Sequence, residues 1–366
     1  MMHRRDFLKT GAALAATLPL GASADDAGLH TIARAGGRVF GSCSAGLLER
    51  REDGPRPSAD ADYQRLFLRH CGVITTELEF KMLRLRPARD RWDWRAADLL
   101  TAFARDHNLT LRGHALVWHE STPAWWLAEV PADRAEAELS EHITTVCSHA
   151  GELVETWDVV NEPLDGGTFR RTPMLAQLGP RYIDIAFRSA AQAAPKARLC
   201  LNEYGLEYDT GEDQAKRDAL LRLLAQMQDS GVPVHMVGIQ AHLHPRKRFD
   251  AEAFASFLAR LRAMGLTVMI TELDCYDRRL PANPYTRDRW VARTMRDYLD
   301  VALAEPAVEG VVCWGLADRY SWLSTAPGAR RWDGLRSRGT LFGDDLRPKA
   351  AFNAVKAALT RAAPRA

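Results

Sequence analysis

The chain has 366 residues, 46% hydrophobic and 26% charged, the balance of a globular protein able to bury a sizeable core. Its 49 basic and 47 acidic residues leave a formal charge of +2, and beyond residue 24 the two signs balance. That neutrality excludes a dedicated binder of nucleic acid or anionic membrane and suits a neutral polymer.

Residues 1–24 have the form of a targeting segment. Arg4-Arg5-Asp6-Phe7-Leu8-Lys9 resembles a twin-arginine export signal, a small and apolar stretch covers 10–21, and Ala22-Ser23-Ala24 is an A-x-A cleavage site. The apolar stretch is too short to span a bilayer. A mature chain of residues 25–366, with no membrane span, is therefore expected in the periplasm or outside the cell. That route carries folded proteins, so folding in a reducing cytoplasm is expected and an essential disulfide is not. The six cysteines, Cys43, Cys71, Cys147, Cys200, Cys275 and Cys313, form no CxxC, which argues against a zinc site or a redox pair. Cys71, Cys200 and Cys313 lie in or beside apolar runs and are expected as small buried side chains.

From Gly36 onward, short apolar runs alternate with amphipathic stretches. The runs predict strands near Arg38–Gly41, Val73–Thr76, Thr110–Gly113, Trp157–Val160, Arg198–Leu201, Met236–Gln240, Thr267–Thr271 and Gly310–Trp314. Apolar residues recurring every three or four positions predict helices over Ala96–Asn108, Arg134–Gly151, Tyr182–Ala194, Gln214–Ser230, Ala251–Met264 and Arg287–Ala304. Eight strands alternating with helices predict a single α/β domain, a parallel (β/α)8 TIM barrel. No repeat, linker or low-complexity tract marks an appended module. The longest loops fall at Asp165–Gly179, Asp274–Tyr285 and Asp318–Thr340, and the chain is expected to fray beyond about Ala357.

Such barrels carry their chemistry at the C-terminal ends of the strands, and the unusual residues gather there. Strand three runs into Gly113-His114-Ala115-Leu116-Val117-Trp118-His119, and strand five into Asn202-Glu203-Tyr204. Strand six leads to Gln240-Ala241-His242-Leu243-His244, and strand eight ends at Trp314. Strand four closes on Asn161 and Glu162 in Trp157-Asp158-Val159-Val160-Asn161-Glu162-Pro163-Leu164. Pro163 disfavours helix at the residue before it, so Glu162 is expected to be extended. Strand seven closes likewise on Glu272 in Val268-Met269-Ile270-Thr271-Glu272-Leu273-Asp274. Two strand-end carboxylates are what hydrolysis of a glycosidic bond requires.

These two stretches together resemble glycoside hydrolase family 10, whose best-known members are endo-β-1,4-xylanases, and the resemblance runs from about residue 38 to about residue 356. It implies hydrolysis of xylan with retention of configuration, Glu162 as general acid/base and Glu272 as nucleophile, with no cofactor and no metal. The acid must carry its proton at rest while the nucleophile is charged. Asn161 would hydrogen-bond the sugar 2-hydroxyl, and His242 and Asp274 would hold the nucleophile. His114, Trp118 and Gln240 would line the central sugar site, Trp314 and Trp322 in "CWGLADRYSWL" would form its aromatic walls, and Glu77 and Lys81 would serve the next sugar out. Tyr204 is expected at the substrate and His119 in support. The resemblance also implies a cis peptide between His114 and Ala115 and a polysaccharide as the partner; a monomer is expected, although the sequence itself leaves the oligomeric state open.

Three positions depart from the family's pattern. Leu78, in Glu77-Leu78-Glu79-Phe80-Lys81, stands where the family has Asn; Ser121 replaces a Gln; and Gly205 replaces the last Asn of an Asn-Asp-Tyr-Asn stretch. Weaker grip on the outer sugars is expected, or a decorated or different glycan such as mixed-linkage glucan, cellulose or an aryl β-glycoside. Two other readings compete. A metal-dependent barrel hydrolase would use His242 and His244 with His114 and His119, although such a pair usually follows strand one. A non-catalytic sugar-binding protein would have kept the cleft alone, which the two carboxylates argue against.

Overall fold

A computed structural model describes residues 27–51 and 53–365. The targeting segment at 1–24 lies outside them. Eight strands form the barrel: β1 (Val39–Cys43), β2 (Val73–Thr75), β3 (Thr110–Trp118), β4 (Val154–Asn161), β5 (Arg198–Glu203), β6 (Met236–Ile239), β7 (Thr267–Cys275) and β8 (Val308–Cys313). Each pairs in parallel with its sequence neighbours, and β8 returns to β1 to close the ring. All eight expected strands are present, as are the six expected helices, within a few residues at their ends. Closure leaves no barrel edge to pair with another chain.

β3 and β7 run longer than their apolar stretches foretold, so His114 to Trp118 and Glu272 to Asp274 are still strand residues. The register slips between His114 and Val117 against β4, between Asp158 and Val160 against β5, and between Ile270 and Leu273 against β8. An extra residue in a strand bends it and re-aims its side chains, and these slips sit beside the functional residues. The His114–Ala115 peptide is cis.

One helix that lacks an expected counterpart is Ala61–His70, where Asp60 accepts from the Tyr63 N–H as N-cap and Tyr63, Phe67 and His70 face inward. The expected fraying does not occur. The last helix runs from Ala350 to Arg361 and buries Val355, Ala358 and Leu359, and Arg365 beyond it pairs with Glu309 at 3.3 Å. Apolar anchors, weak in a segment so rich in alanine, hold this end down.

A small interior layer, Val73, Cys200, Met236, Met269 and Val312, fills the lower barrel. Above it the fully buried Arg112 forks onto Asp158 and lies 3.3 Å from Cys200 Sγ and 3.6 Å from Met236 Sδ. The larger core packs the outer faces of the strands against the helices. Among its polar members, His142 lies stacked on Trp92 and is pushed down to about 3 by burial and by Arg86. His70 accepts from the Leu29 N–H at 3.3 Å between Phe342 and Phe352, and burial lowers it to about 4. All six cysteines are buried and unpaired.

Candidate active site

A cleft of about 550 Å³ opens at the C-terminal mouth of the barrel. Glu162 and Glu272 both line it. Glu162 is not extended as expected: its φ is +57°, a left-handed conformation uncommon for a residue with a Cβ. Its N–H donates to the Asn202 carbonyl at 2.9 Å, which turns the chain at the strand end. Gln240 Nε2 and Asn161 Nδ2 then donate to Glu162 Oε1 at 3.0 and 3.1 Å. His119 Nδ1 stands 3.9 Å from Oε2.

Glu272 is buried and held from two sides. Asn202 Nδ2 donates to Oε1 at 2.8 Å, and His242 Nε2 lies 3.3 Å from Oε2. His242 Nδ1 is 2.8 Å from Asp274 Oδ1, and Trp322 Nε1 donates to Asp274 Oδ2 at 2.7 Å. Burial works against charge on all three groups, and the pairing decides the outcome. Asp274 and Glu272 lift His242 well above its ordinary value. The His242 bond, with His114 and Lys81 nearby, outweighs burial and keeps Glu272 below the usual carboxylate range. Burial leaves Asp274 raised despite its imidazolium partner. The arrangement therefore presents an anionic Glu272 at the cleft wall.

Asn202 is itself fixed: Thr271 Oγ1 donates to its Oδ1 at 2.7 Å, and its Nδ2 also reaches Asn161 Oδ1 at 2.8 Å. Gly238 on β6 leaves the room, since a Cβ there would lie 2.1 Å from Asn202 Oδ1.

The remaining expected residues converge on the same cleft. Glu77, Lys81, His114, Trp118, His119, Asn161, Tyr204, Gln240, His242, Trp314 and Trp322 all line it, while Asp274 stands behind His242, fully buried. Lys81 Nζ sits 4.1 Å from the Trp118 ring centre; burial lowers it, with Glu272 and Glu77 opposing. His114 Nδ1 is 3.0 Å from Asp158 Oδ2, which ties it to the Arg112 fork below. The Trp118 indole N–H is buried with no partner among the described residues.

Of the three departures, Leu78 and Gly205 line the cleft, whereas Ser121 is buried and turned onto the Trp118 carbonyl at 3.3 Å. Several cleft residues carried no sequence signal. Arg170, from the long loop after β4, donates to Tyr204 Oη at 2.6 Å and to the Glu162 carbonyl at 3.2 Å. Tyr276 stacks on His244 at 4.4 Å. Lys216, one helix away, reaches Glu203 at 2.7 Å and lies 3.5 Å from the Tyr204 ring centre.

The alternative metal reading needs His114, His119, His242 and His244 to converge. Among the described residues no three His, Cys, Asp or Glu side chains are arranged to hold an ion. His242 is committed to two carboxylates, and His244 is stacked away on Tyr276.

Known proteins resemble this chain over most of its length. Endo-1,4-beta-xylanase B of Thermotoga neapolitana is 30% identical over 300 residues, 80% of this chain and 82% of that one. Beta-1,4-xylanase of Dictyoglomus thermophilum is 33% identical over 304 residues, 79% of this chain and 82% of that one. The crystal structure of native xylanase 10B from Thermotoga maritima superposes with a TM-score of 0.80 at 29% identity, covering 91% of this chain and 98% of that one. Residues 1–18 match the TAT (twin-arginine translocation) pathway signal sequence, so the protein is exported by that route, to the periplasm or beyond. Among the described residues no helix is long and apolar enough to cross a membrane. Residues 29–358 match Glycosyl hydrolase family 10, and with the barrel and its paired carboxylates the chain belongs to that family of glycoside hydrolases.

Proposed function

We propose that the enzyme is an endo-1,4-β-xylanase that cleaves internal bonds of xylan with retention, Glu272 acting as nucleophile and Glu162 as general acid/base. The observation that carries the roles is the asymmetry of the two carboxylates. Glu272 is buried and held anionic by the His242–Asp274–Trp322 chain, whereas Glu162 stands at the open wall on two amide donors.

The glycone sugar lies between them with its anomeric carbon toward Glu272. A Glu272 oxygen forms the bond to that carbon as the bond to the leaving oxygen breaks, and Glu162 gives its proton to that oxygen. The sugar is then held as an ester of Glu272. Glu162, now anionic, takes a proton from water, whose oxygen attacks the same carbon and releases Glu272. Two inversions give net retention. Asn161 and Gln240 bear on the ring hydroxyls as they hold Glu162, and Trp118 adds a half-buried indole to the wall of the sugar site. Trp314 and Trp322 offer flat faces to a pyranose.

A second reading within the family is favoured by Leu78 and Gly205, which place an apolar group and an open space where the family has amides. It takes a decorated xylan or another β-glycan as substrate. The mature enzyme, residues 25–366, is proposed to act as a monomer, because one chain supplies every residue assigned to the cleft; light scattering of the purified protein tests this.

The deciding experiment is hydrolysis of linear xylan, glucuronoxylan, arabinoxylan, mixed-linkage glucan and carboxymethylcellulose by the enzyme and by Glu272→Ala, with product anomers followed by NMR. Activity on a xylan that vanishes in the variant, with β-anomers released first, is the expected result. Activity confined to a glucan transfers the mechanism to the second reading. Activity that survives the substitution overturns both carboxylate roles.

A further inference from the structure

We infer that a lateral groove beside the cleft, on the Trp290 side of helix Pro284–Ala302, holds a further pyranose of the same polymer chain. The inference rests on the β-glycan reading above. The groove has a volume of about 290 Å³, at the small end of ligand pockets. Tyr208, His244 and Lys247 line both the groove and the cleft, so the two hollows adjoin.

The direction of the polymer follows from the barrel. In a ring of eight strands β2 and β6 stand opposite each other. Glu77, Leu78 and Lys81 follow β2, and His244 and Lys247 follow β6. A linear chain laid across Glu162 and Glu272 from the β2 side leaves past His244, where the groove begins. This divider is rigid. The His244 ring stacks on Tyr276 with an interplanar angle of 7°, the His244 backbone N–H donates to Tyr208 Oη at 2.5 Å, and Tyr208 Oη returns a bond to the His244 carbonyl at 3.3 Å.

The lining has the chemistry of a sugar site. Trp290 is 41% exposed, a large flat apolar surface left open on a helix. Arg293 and Asp297 lie three and seven residues further on, along the same helix face, and supply donors and acceptors at the rim. Tyr298 also lines the groove, and its hydroxyl is buried with no hydrogen-bond partner among the described residues. Buried hydroxyls are nearly always paired, and an unpaired one is destabilising. A pyranose seated with its apolar face on Trp290 brings hydroxyls into the groove that can pair with it.

The test compares the parent enzyme with Trp290→Ala and Tyr298→Phe on an aryl xylobioside, on xylohexaose and on soluble xylan. Binding energy from remote parts of a substrate appears in kcat/KM only for substrates long enough to reach them. For Trp290→Ala, kcat/KM on xylohexaose and xylan is expected to fall about 5- to 10-fold, with the aryl xylobioside unchanged. Tyr298→Phe, which removes one oxygen and leaves the packing, is expected to shift the long substrates in the same direction. Equal constants at every chain length, or a loss as large on the short substrate, overturn the groove while leaving the enzyme's function standing. A parent inactive on all three substrates overturns the function reading, and the groove with it.

Discussion

Lys216 and Glu203 meet at 2.7 Å, both almost wholly buried, directly behind the loop that carries Glu162. Glu203 also accepts from the Leu164 N–H at 3.1 Å and the Tyr204 N–H at 3.0 Å, so one carboxylate ties the acid/base loop, the Tyr204 wall and a helix together. Burial pushes Glu203 up to about 7 even with Lys216 opposing. Replacing Lys216 by Met leaves that charge alone, and a cost of about 3–5 kcal/mol is expected at about pH 8. At about pH 5 the lone carboxyl takes up a proton and the cost shrinks. Urea unfolding at the two pH values checks this; an equal loss at both would count against the pair.

Asn202 gives its amide to Asn161 and to Glu272, each at 2.8 Å. Asn202→Ala frees both acceptors without touching the substrate-facing atoms. A drop in kcat of about 10²-fold, with KM moved much less, is the expected result, because small displacements of a reacting group are costly. Steady-state kinetics on a soluble xylan, with circular dichroism to confirm folding, decides it.

His242 is raised above its ordinary 6.5, so its pairing contributes stability that is complete below that pH and is lost as pH rises through the native value. Asp274→Asn removes its strongest partner. The alkaline fall in both kcat and Tm is then expected to begin at lower pH than in the parent enzyme. An unmoved alkaline limb would show that Asp274 does not govern the imidazolium.

Leu78 lines the cleft beside Glu77 and Lys81, where the family has an amide. Leu78→Asn is expected to raise kcat/KM on short xylo-oligosaccharides about tenfold, within the range of one gained hydrogen bond. Equal kinetics for the two proteins would mean that the outer sugar does not touch this position.

The sequence displayed the barrel because its strands are short, mainly apolar runs spaced by amphipathic helices, a pattern that needs no partner to be recognised. The paired carboxylates stood out for the same reason, each closing such a run. Three features were hidden. The φ of Glu162 is set by a bond to Asn202, a residue of another strand, and no local rule gives it. Arg170 and Lys216 come from a loop and a helix with no pattern pointing inward, and their place depends on packing across 34 and 13 residues of chain to Tyr204 and Glu203. Ser121 sits in a motif and still turns away from the cleft, because a one-turn helix aims it at the Trp118 carbonyl.

The neutral histidines inside the fold also set where it can work. His70 is pushed down to about 4 and His142 to about 3, and burial lowers His244 to about 4, while in the unfolded chain each takes a proton near 6.5. Their contribution is therefore full above pH 6.5 and drains away as the pH falls toward those native values. Acid thus favours the unfolded chain through its histidines before the exposed carboxylates begin to protonate. A Tm that falls as the pH descends from 6.5 to about 4 is the expected outcome. A Tm that stays level on descent from pH 6.5 to about 4 would remove that conclusion.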